Sequence, residues 1–288
     1  MKGIILAGGN GTRLHPVTKA ISKQLIPIYD KPLIYYPLSI LMLAQIKEIL
    51  IICKAGDQNL FQTLLGNGEH FGLEITYATQ NQPSGIAEAF IIGEDFIKND
   101  SVALILGDNI FWGQSLTPKL LEAKNNLSGA TIFGYSVSNP ERFGVIELSK
   151  SNKPVRIIEK PTNAKSNIAV TGLYFYENSV VEISKSLKPS KRNELEITDV
   201  NNVYIKRKKL DLQMLGRGYA WLDSGTPESV LEASMFVETI ERRQGYKIAC
   251  IEEIAYRNKW ISKSKLSNYI RSLDRSVYTE YLEKIIND

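Results

Sequence analysis

A glycine-rich loop behind the first apolar run is the feature of this sequence that most clearly indicates chemistry. Gly8, Gly9 and Gly11 occupy three of four consecutive positions. They follow the apolar residues 4–7 and are followed by Arg13. Glycines lack the Cβ atoms that would block a close ligand, and they allow the positive φ angles that turn successive backbone N–H groups toward an anion. Because an arginine fork also suits phosphate oxygens, the loop predicts a phosphate-binding turn at the end of a β-strand.

This loop matches neither of the two best-known glycine fingerprints. A Walker A loop requires Lys and then Ser or Thr straight after its last glycine, whereas Thr12 and Arg13 follow Gly11. The dinucleotide fingerprint requires a further glycine three residues after Gly11, where Leu14 stands. These differences disfavour a P-loop NTPase and a Rossmann dehydrogenase.

Two acidic residues and a lysine could complete a site for phosphate and metal. Asp108 follows an apolar run at 102–106, so it should lie at the end of a buried strand. Mg²⁺ is commonly held through one or two carboxylates together with substrate phosphates, and Asp108 would suit it. The alternative for Asp108 is a turn with Asn109. Asp223 could be a second ligand or part of a helix cap, and Lys23 could equally be a solvated surface charge, so the residues alone leave these roles open.

The elements that must position these residues read as an α/β fold. Short β-branched runs alternate with helical patterns, which is typical of a parallel sheet with crossover helices. Ligands of open α/β sheets bind outside the carboxyl ends of the strands, so the glycine loop and Asp108 should share one rim. The predicted strands are 3–6, 48–53, 75–78 and 102–106, followed from residue 130 by 131–135, 144–147, 155–158, 170–176 and 212–215. The predicted helices are 33–44, 58–65, 86–92, 180–187 and 196–206.

A well-marked helix start follows Asp223. Thr226 is the expected N-cap and Pro227 the first helical residue, with Leu231 on the expected apolar face and an end near Gly245. The remaining tail reads as largely helical. We therefore predict one catalytic core over 1–226, with a nucleotide half of about 1–130 and a sugar half of about 131–226. A helical extension over 227–288 should pack on this core without forming an independent domain.

Composition excludes several classes of function. The 288 residues carry 35 Lys and Arg against 31 Asp and Glu, a net charge of +4, and the basic run 206–209 falls where a helix should end. No nucleic-acid motif accompanies that run, so no nucleic-acid partner is expected. Cys53 and Cys250 lack a metal-ligand spacing, and His15 and His70 are too few for a histidine-based metal site. Neither a signal peptide nor a membrane-length apolar run is evident, so a cytoplasmic enzyme without a membrane partner is expected.

Five separated motifs, in this order, resemble those of the sugar-phosphate nucleotidylyltransferases. They are residues 8–16 (GGNGTRLHP), 23–28 (KQLIPI), 106–109 (LGDN), 159–161 (EKP) and 221–226 (WLDSGT). The likeness runs from about residue 1 to about residue 260. Within that family the chain resembles the longer thymidylyltransferases that act on glucose 1-phosphate and carry a C-terminal helical extension.

The resemblance implies a fold and a reaction. The fold would be a Rossmann-like, mixed but mainly parallel sheet flanked by helices. The reaction would be the Mg²⁺-dependent transfer of the thymidylyl group of dTTP to glucose 1-phosphate, which gives dTDP-glucose and pyrophosphate. It would proceed by in-line attack on the α-phosphorus without a covalent enzyme intermediate. Its product would enter dTDP-rhamnose or another deoxysugar pathway.

The resemblance also assigns residues. The catalytic set would be Arg13, Lys23, Asp108 and Asp223, of which Asp108 and Asp223 would bind Mg²⁺. The nucleotide would be bound by Leu6, Gly8, Gly9, Gly11, Thr12, Arg13, Lys23, Gln80, Pro83, Gly85 and Asp108. The sugar phosphate would be bound by Asn109, Gly144, Glu159, Lys160, Val170 and Tyr174.

Three further expectations follow from the family. Its members form homotetramers (dimers of dimers) that the pathway end product inhibits at a second site, for which Arg217 and Arg257 are the candidates here. Phe143 stands where the family commonly has Tyr, which removes one hydroxyl from the sugar side. The residues near Gln80 leave a uridylyltransferase open, since uracil and thymine differ by a methyl group. A catalytically silent nucleotide-binding regulator is the more distant alternative.

Overall fold

The computed structural model describes residues 1–287 and consists of a central sheet, helices on both its faces and a helical tail. The strands are β1 (Lys2–Ala7), β2 (Pro27–Ile28), β3 (Lys31–Pro32), β4 (Glu48–Cys53), β5 (Glu74–Thr79), β6 (Val102–Leu106), β7 (Asn109–Gly113), β8 (Ala130–Ser136), β9 (Gly144–Leu148), β10 (Pro154–Glu159), β11 (Ile168–Tyr176), β12 (Leu210–Leu215) and β13 (Tyr219–Asp223). The helices are α1 (Tyr35–Leu43), α2 (Gln58–Leu65), α3 (Glu88–Ile92), α4 (Glu94–Ile97), α5 (Leu116–Asn125), α6 (Val180–Ser186), α7 (Ile197–Lys206), α8 (Pro227–Gln244), α9 (Ile251–Arg257), α10 (Lys263–Arg271) and α11 (Val277–Asn287).

Nine strands form the main sheet, in the central order β10-β9-β11-β6-β1-β4-β5, with β8 paired to β11 and β12 paired to β8. The strands β6, β1, β4 and β5 run parallel, and β11 joins β6 in the antiparallel sense. Ile4 and Ile5 of β1 are fully buried although they point to opposite faces, because helices cover both sides of the sheet. The predicted fold class, a mixed and mainly parallel sheet flanked by helices, is confirmed.

A two-stranded ribbon of β7 and β13, which the sequence pattern did not predict, brings the two candidate metal carboxylates together. The strands pair in the antiparallel sense, with Asn109 opposite Asp223. The Ser224 N–H then donates to the Asp108 carbonyl at 3.0 Å. Asp108 at the end of β6 and Asp223 at the end of β13 therefore lie side by side, although they are far apart in the sequence.

Helix α8 begins and ends as its caps predict, and one residue of its expected apolar face, Leu231, is exposed. The Thr226 Oγ1 accepts a hydrogen bond from the Ser229 N–H, and Gly245 ends the helix with φ 72°. Leu231 is 61% exposed, whereas Val237 and the carboxylate of Glu241 are buried. Glu241 lies inside because it binds the ammonium groups of Lys31 at 2.9 Å and Lys247 at 3.2 Å.

The C-terminal helices share the hydrophobic core of the sheet. Ile251 of α9, Leu266 of α10 and Leu282 of α11 are fully buried in the same cluster as Leu41 of α1 and Ile51 of β4. Within residues 1–287, no helix is both long and apolar enough to span a membrane.

Candidate active site

Two adjoining cavities open at the carboxyl ends of β1, β5 and β6, and Asp108 lines both. The smaller cavity has a volume of about 220 Å³, and its predicted site residues are Leu6, Gly8, Gly9, Gln80, Pro83, Gly85 and Asp108. The larger cavity has a volume of about 410 Å³, and its predicted site residues are Arg13, Asp108, Asn109, Gly144, Glu159, Lys160, Val170, Tyr174 and Asp223. The structure thus brings most of the predicted residues to one rim of the sheet.

The glycine loop has the backbone conformation that its composition predicts. Gly9 and Gly11 have φ angles of 94° and 56°, in the region that favours glycine. A Cβ atom on Gly8 would lie 2.5 Å from the Gln80 Oε1, so only glycine allows the loop to approach that side chain. Gly11 itself lines neither cavity, and its carbonyl instead accepts a hydrogen bond from the Thr18 Oγ1 at 2.7 Å. Gly11 therefore shapes the turn.

Gln80 forms the wall of the smaller cavity and is held in one orientation. Its Nε2 donates to the Glu88 Oε2 at 2.7 Å and to the Gly85 carbonyl at 3.3 Å. Gly85 has φ 109°, and a Cβ there would lie 2.3 Å from the Leu195 carbonyl oxygen. The loop after β5 is therefore locked against the segment that precedes α7, which gives the cavity a rigid floor.

Each candidate metal carboxylate is paired with a cation of this chain. The Lys23 ammonium contacts the Asp108 Oδ2, and the Arg142 Nη2 donates to the Asp223 Oδ2 at 3.1 Å. Burial raises the pKa of Asp108, but the Lys23 charge outweighs this effect and holds the pKa below its usual value. Burial raises the pKa of Asp223 and the neighbouring Asp108 adds to the rise, against the opposing charge of Arg142. The site therefore concentrates opposite charges around two adjacent carboxylates.

Asn109 orients Asp108 from a buried position. Its Nδ2 donates to the Asp108 Oδ1 at 2.7 Å. Its Oδ1 accepts from the Gly172 N–H at 3.1 Å and from the Trp221 Nε1 at 2.6 Å. The side chain is 2% exposed, so Asn109 ties β6, β11 and β13 together at the site while also lining the larger cavity.

The donor set fits Mg²⁺ better than a metal held by protein groups alone. Residues 1–287 contain no group of three or more His, Cys, Asp or Glu side chains that could hold a metal ion. The adjacent pair Asp108 and Asp223 matches the preference of Mg²⁺ for one or two carboxylates completed by water and substrate phosphates. These two residues could therefore hold Mg²⁺ together with a phosphorylated ligand.

Glu159 and Lys160 stand at the far end of the larger cavity. The Glu159 Oε2 accepts from the Thr198 Oγ1 at 2.7 Å, and its Oε1 accepts from the Arg192 Nη2 at 3.1 Å. Lys160 has φ 41°, an uncommon conformation for a residue with a side chain, and its N–H donates to the Phe143 carbonyl at 3.0 Å. The β10 strand therefore ends in a strained turn that directs these two residues to the cavity, a pattern found at functional sites.

Four residues around the larger cavity were not singled out from the sequence. Arg142, Thr198 and Trp221 line it, and Arg192 contacts Glu159 from behind. Arg142 adjoins the segment that carries Phe143, and Trp221 begins one of the motifs, so both could have been noticed. Thr198 and Arg192 gave no signal, because their places depend on how α7 and the segment before it pack on β10.

The predicted residues outside the two cavities fall into separate places. Thr12 lies in the short 3₁₀ turn after the loop, and Lys23 reaches the site through its contact with Asp108. Arg257 is exposed, pairs with Glu253 at 2.7 Å and lines a different cavity of about 380 Å³ between α1, α9 and the segment after β7. Arg217 is exposed in the turn between β12 and β13 and does not line that cavity. The structure therefore does not bring Arg217 and Arg257 to one pocket of this chain.

Known proteins share both the sequence and the fold. The sequence profile of the nucleotidyl transferase family matches residues 2–240. A glucose-1-phosphate thymidylyltransferase from Neisseria meningitidis serogroup A is 56% identical over 99% of each chain. A Bacillus anthracis protein provisionally named glucose-1-phosphate thymidylyltransferase and solved with sucrose is 43% identical, with a TM-score of 0.76 over 82% of this chain and 94% of that one. A UDP-glucose pyrophosphorylase solved with UDP-glucose is 28% identical, with a TM-score of 0.72 over 83% and 98%. This chain therefore belongs to the nucleotidyl transferase family, within its group of glucose-1-phosphate thymidylyltransferases.

Proposed function

We propose that this chain transfers the thymidylyl group of dTTP to α-D-glucose 1-phosphate, with dTDP-glucose and pyrophosphate as products. The observation that carries the proposal is the meeting of two cavities at Asp108, with Asp223, Arg13 and Lys23 around the junction. A nucleotide in the smaller cavity and a sugar phosphate in the larger one would have their phosphates at this junction. The relatives that carry this activity in their names match nearly the whole chain.

The reaction would be one in-line displacement at the α-phosphorus. An oxygen of the sugar phosphate forms a bond to that phosphorus while the bond to the bridging oxygen of pyrophosphate breaks. Such a transfer depends on positioning and charge stabilisation, and a protein nucleophile is not needed. Arg13 and Lys23 would stabilise the negative charge that develops on the triphosphate, and Lys160 would orient the attacking phosphate. Mg²⁺ held by Asp108 and Asp223 would supply further charge neutralisation.

Substrate recognition would be divided between the cavities. Gln80 offers an amide to the pyrimidine, and its fixed orientation would select one edge of the base. Glu159 can accept hydrogen bonds from sugar hydroxyls, and Gly144 faces it across the β9–β10 pair. A pyrimidine edge alone does not distinguish thymine from uracil, so preference for dTTP must come from contacts with the methyl group or the deoxyribose.

The proposal is tested by steady-state turnover of glucose 1-phosphate with dTTP and, separately, with UTP. We expect dTDP-glucose to form with dTTP as the preferred nucleotide, and EDTA to abolish turnover. Turnover that survives metal removal would contradict the roles of Asp108 and Asp223. A clear preference for UTP would instead favour a uridylyltransferase, the activity named for the structural neighbour at 28% identity.

Assembly, control and location are further parts of this proposal. A homotetramer inhibited by a nucleotide-sugar end product of a deoxysugar pathway is expected from the family, as is a cytoplasmic location. The cavity beside Arg257 would suit an effector within one chain, whereas Arg217 could contribute only from elsewhere in an assembly. Sedimentation and inhibition by dTDP-rhamnose would test the assembly and the control; a monomer insensitive to dTDP-rhamnose would contradict both.

A further inference from the structure

Both candidate metal carboxylates are already neutralised by cations of this chain, and the two pairs differ in how firmly they are held. Lys23 is 9% exposed and is bound to Asp108, whose side chain is 27% exposed. The Arg142 side chain is 42% exposed and pairs with Asp223 from the end of a short 3₁₀ helix, Pro140–Arg142. A cation that bridges the two carboxylates must compete with both contacts. Because Arg142 is the more exposed of the two cations, the ion pair between Arg142 and Asp223 is the one that can break without disturbing the packing.

Aromatic packing holds the Arg142 guanidinium within reach of the larger cavity. Its central carbon lies 5.4 Å from the Phe143 ring centroid, and the Phe143 ring lies 5.0 Å from that of Trp221. Arg142 lines this cavity together with Arg13 and Lys160. A guanidinium released from Asp223 therefore remains beside the space that a phosphate group would occupy, where its fork can bind two oxygens.

We propose that Arg142 is an exchangeable counterion, which pairs with Asp223 before metal binding and transfers to a substrate phosphate when the metal is bound. This inference rests on the proposed function, because it takes Asp108 and Asp223 as the metal site. When the metal binds Asp223, Arg142 exchanges its contact with that carboxylate for a contact with the substrate phosphate. Every charged group therefore keeps a partner of opposite charge while metal and substrate bind. Arg142 is thereby a positioning residue for Asp223 in one state and a phosphate-binding residue in the other.

The proposal predicts effects of opposite sign on two ligands. Removing the guanidinium frees Asp223, so Arg142→Gln should bind Mn²⁺ alone about two- to five-fold more tightly, the range expected for a partly exposed ion pair. The same variant should bind pyrophosphate in the presence of Mn²⁺ roughly ten-fold or more weakly, because a charged hydrogen bond is lost. Arg142→Lys keeps the charge and should lie between the wild type and Arg142→Gln in both measurements. A residue that merely supported the fold would weaken both ligands together.

The test is a titration of the full chain with Mn²⁺ followed by electron paramagnetic resonance, and with pyrophosphate by calorimetry. Arg156→Gln is the matched control, since it removes an exposed arginine that pairs with Glu147 at 2.7 Å on β9 and should change neither constant. An unchanged or weaker Mn²⁺ affinity in Arg142→Gln would overturn the proposal. Asp223→Asn tests the metal site separately from the role of Arg142. Mn²⁺ binding that survives this change would refute the metal site itself.

Discussion

Replacing Asn109 by alanine tests whether the site depends on one buried amide. The Asn109 side chain is 2% exposed and bonds three partners: the Asp108 carboxylate, the Gly172 N–H and the Trp221 Nε1. Alanine removes all three contacts at once. Two buried N–H groups then have no acceptor, and the carboxylate loses the donor that fixes its rotamer.

The loss of stability follows from the two unpaired donors. Each buried donor without a partner costs about 1–3 kcal/mol. Water from the adjoining cavity can replace part of that loss, so we expect a total near 2–4 kcal/mol for Asn109→Ala. For a chain of this size, that corresponds to a fall in Tm of roughly 3–7 °C. Turnover should also fall, since Asp108 is no longer oriented.

Differential scanning calorimetry of the wild type and Asn109→Ala measures the effect directly. The control is Asn125→Ala, at an exposed position in α5, which should change Tm by less than about 1 °C. Asn109→Asp keeps the acceptor for Gly172 and Trp221 but places a carboxyl oxygen against the Asp108 carboxylate, so it should be impaired in turnover. A Tm for Asn109→Ala within about 1 °C of the wild type would refute the structural part of this reasoning.

Three further predictions test the site and the core. Lys23→Ala should lower kcat by about 100-fold or more, because it removes a cation at the reacting phosphates. Lys19→Ala, at an exposed lysine, is the control. Similar rates for both variants would show that Lys23 is not the essential cation. Gly85→Ala should raise the KM for dTTP and lower Tm, because Gly85 has φ 109° and an added Cβ would lie 2.3 Å from a backbone oxygen. Gly216→Ala is the control, since an added Cβ there meets no atom within 4 Å and should be neutral. Equal behaviour of the two variants would count against the locked loop. Burial raises the pKa of Glu252 above its ordinary value of 4.5, so the folded state holds that proton more tightly than the unfolded chain. The free energy of unfolding should therefore fall as the pH rises from about 4.5 through the raised pKa, and urea titrations should find this fall reduced in Glu252→Gln; an unaltered pH slope would argue against a titrating Glu252.

Much of the main sheet could be predicted because its signals are local. Apolar runs bounded by turn residues located the strands to within one or two residues at most places, and the caps of α8 located its start and end. Leu231 shows the limit of this approach. Its apolar character suggested burial, but the face of α8 that packs inward carries Ala233 and Val237, and Leu231 lies outside that face.

The candidate site was harder to predict where the position of a residue depends on pairing between strands that are distant in the sequence. The β7–β13 ribbon places Asp223 beside Asp108, and nothing local to either strand indicates its partner. Arg142 adjoins Phe143 in the sequence, but only the fold shows that it pairs with Asp223. Asn109 was expected at the sugar phosphate, and it lines that cavity, but its hydrogen bonds also make it part of the frame that holds Asp108. The family resemblance identified the candidate site residues, and the structure showed which hydrogen bonds and ion pairs they form.

The direction of attack is the central claim, and oxygen labelling tests it most directly. Glucose 1-phosphate with ¹⁸O in the non-bridging phosphate positions is incubated with dTTP, Mg²⁺ and the chain, and the products are examined by ³¹P NMR. We predict that the label stays in the nucleotide sugar, with one ¹⁸O bridging its two phosphorus atoms, and that pyrophosphate is unlabelled. An unlabelled bridge, or ¹⁸O in pyrophosphate, would contradict attack by the sugar phosphate on the α-phosphorus.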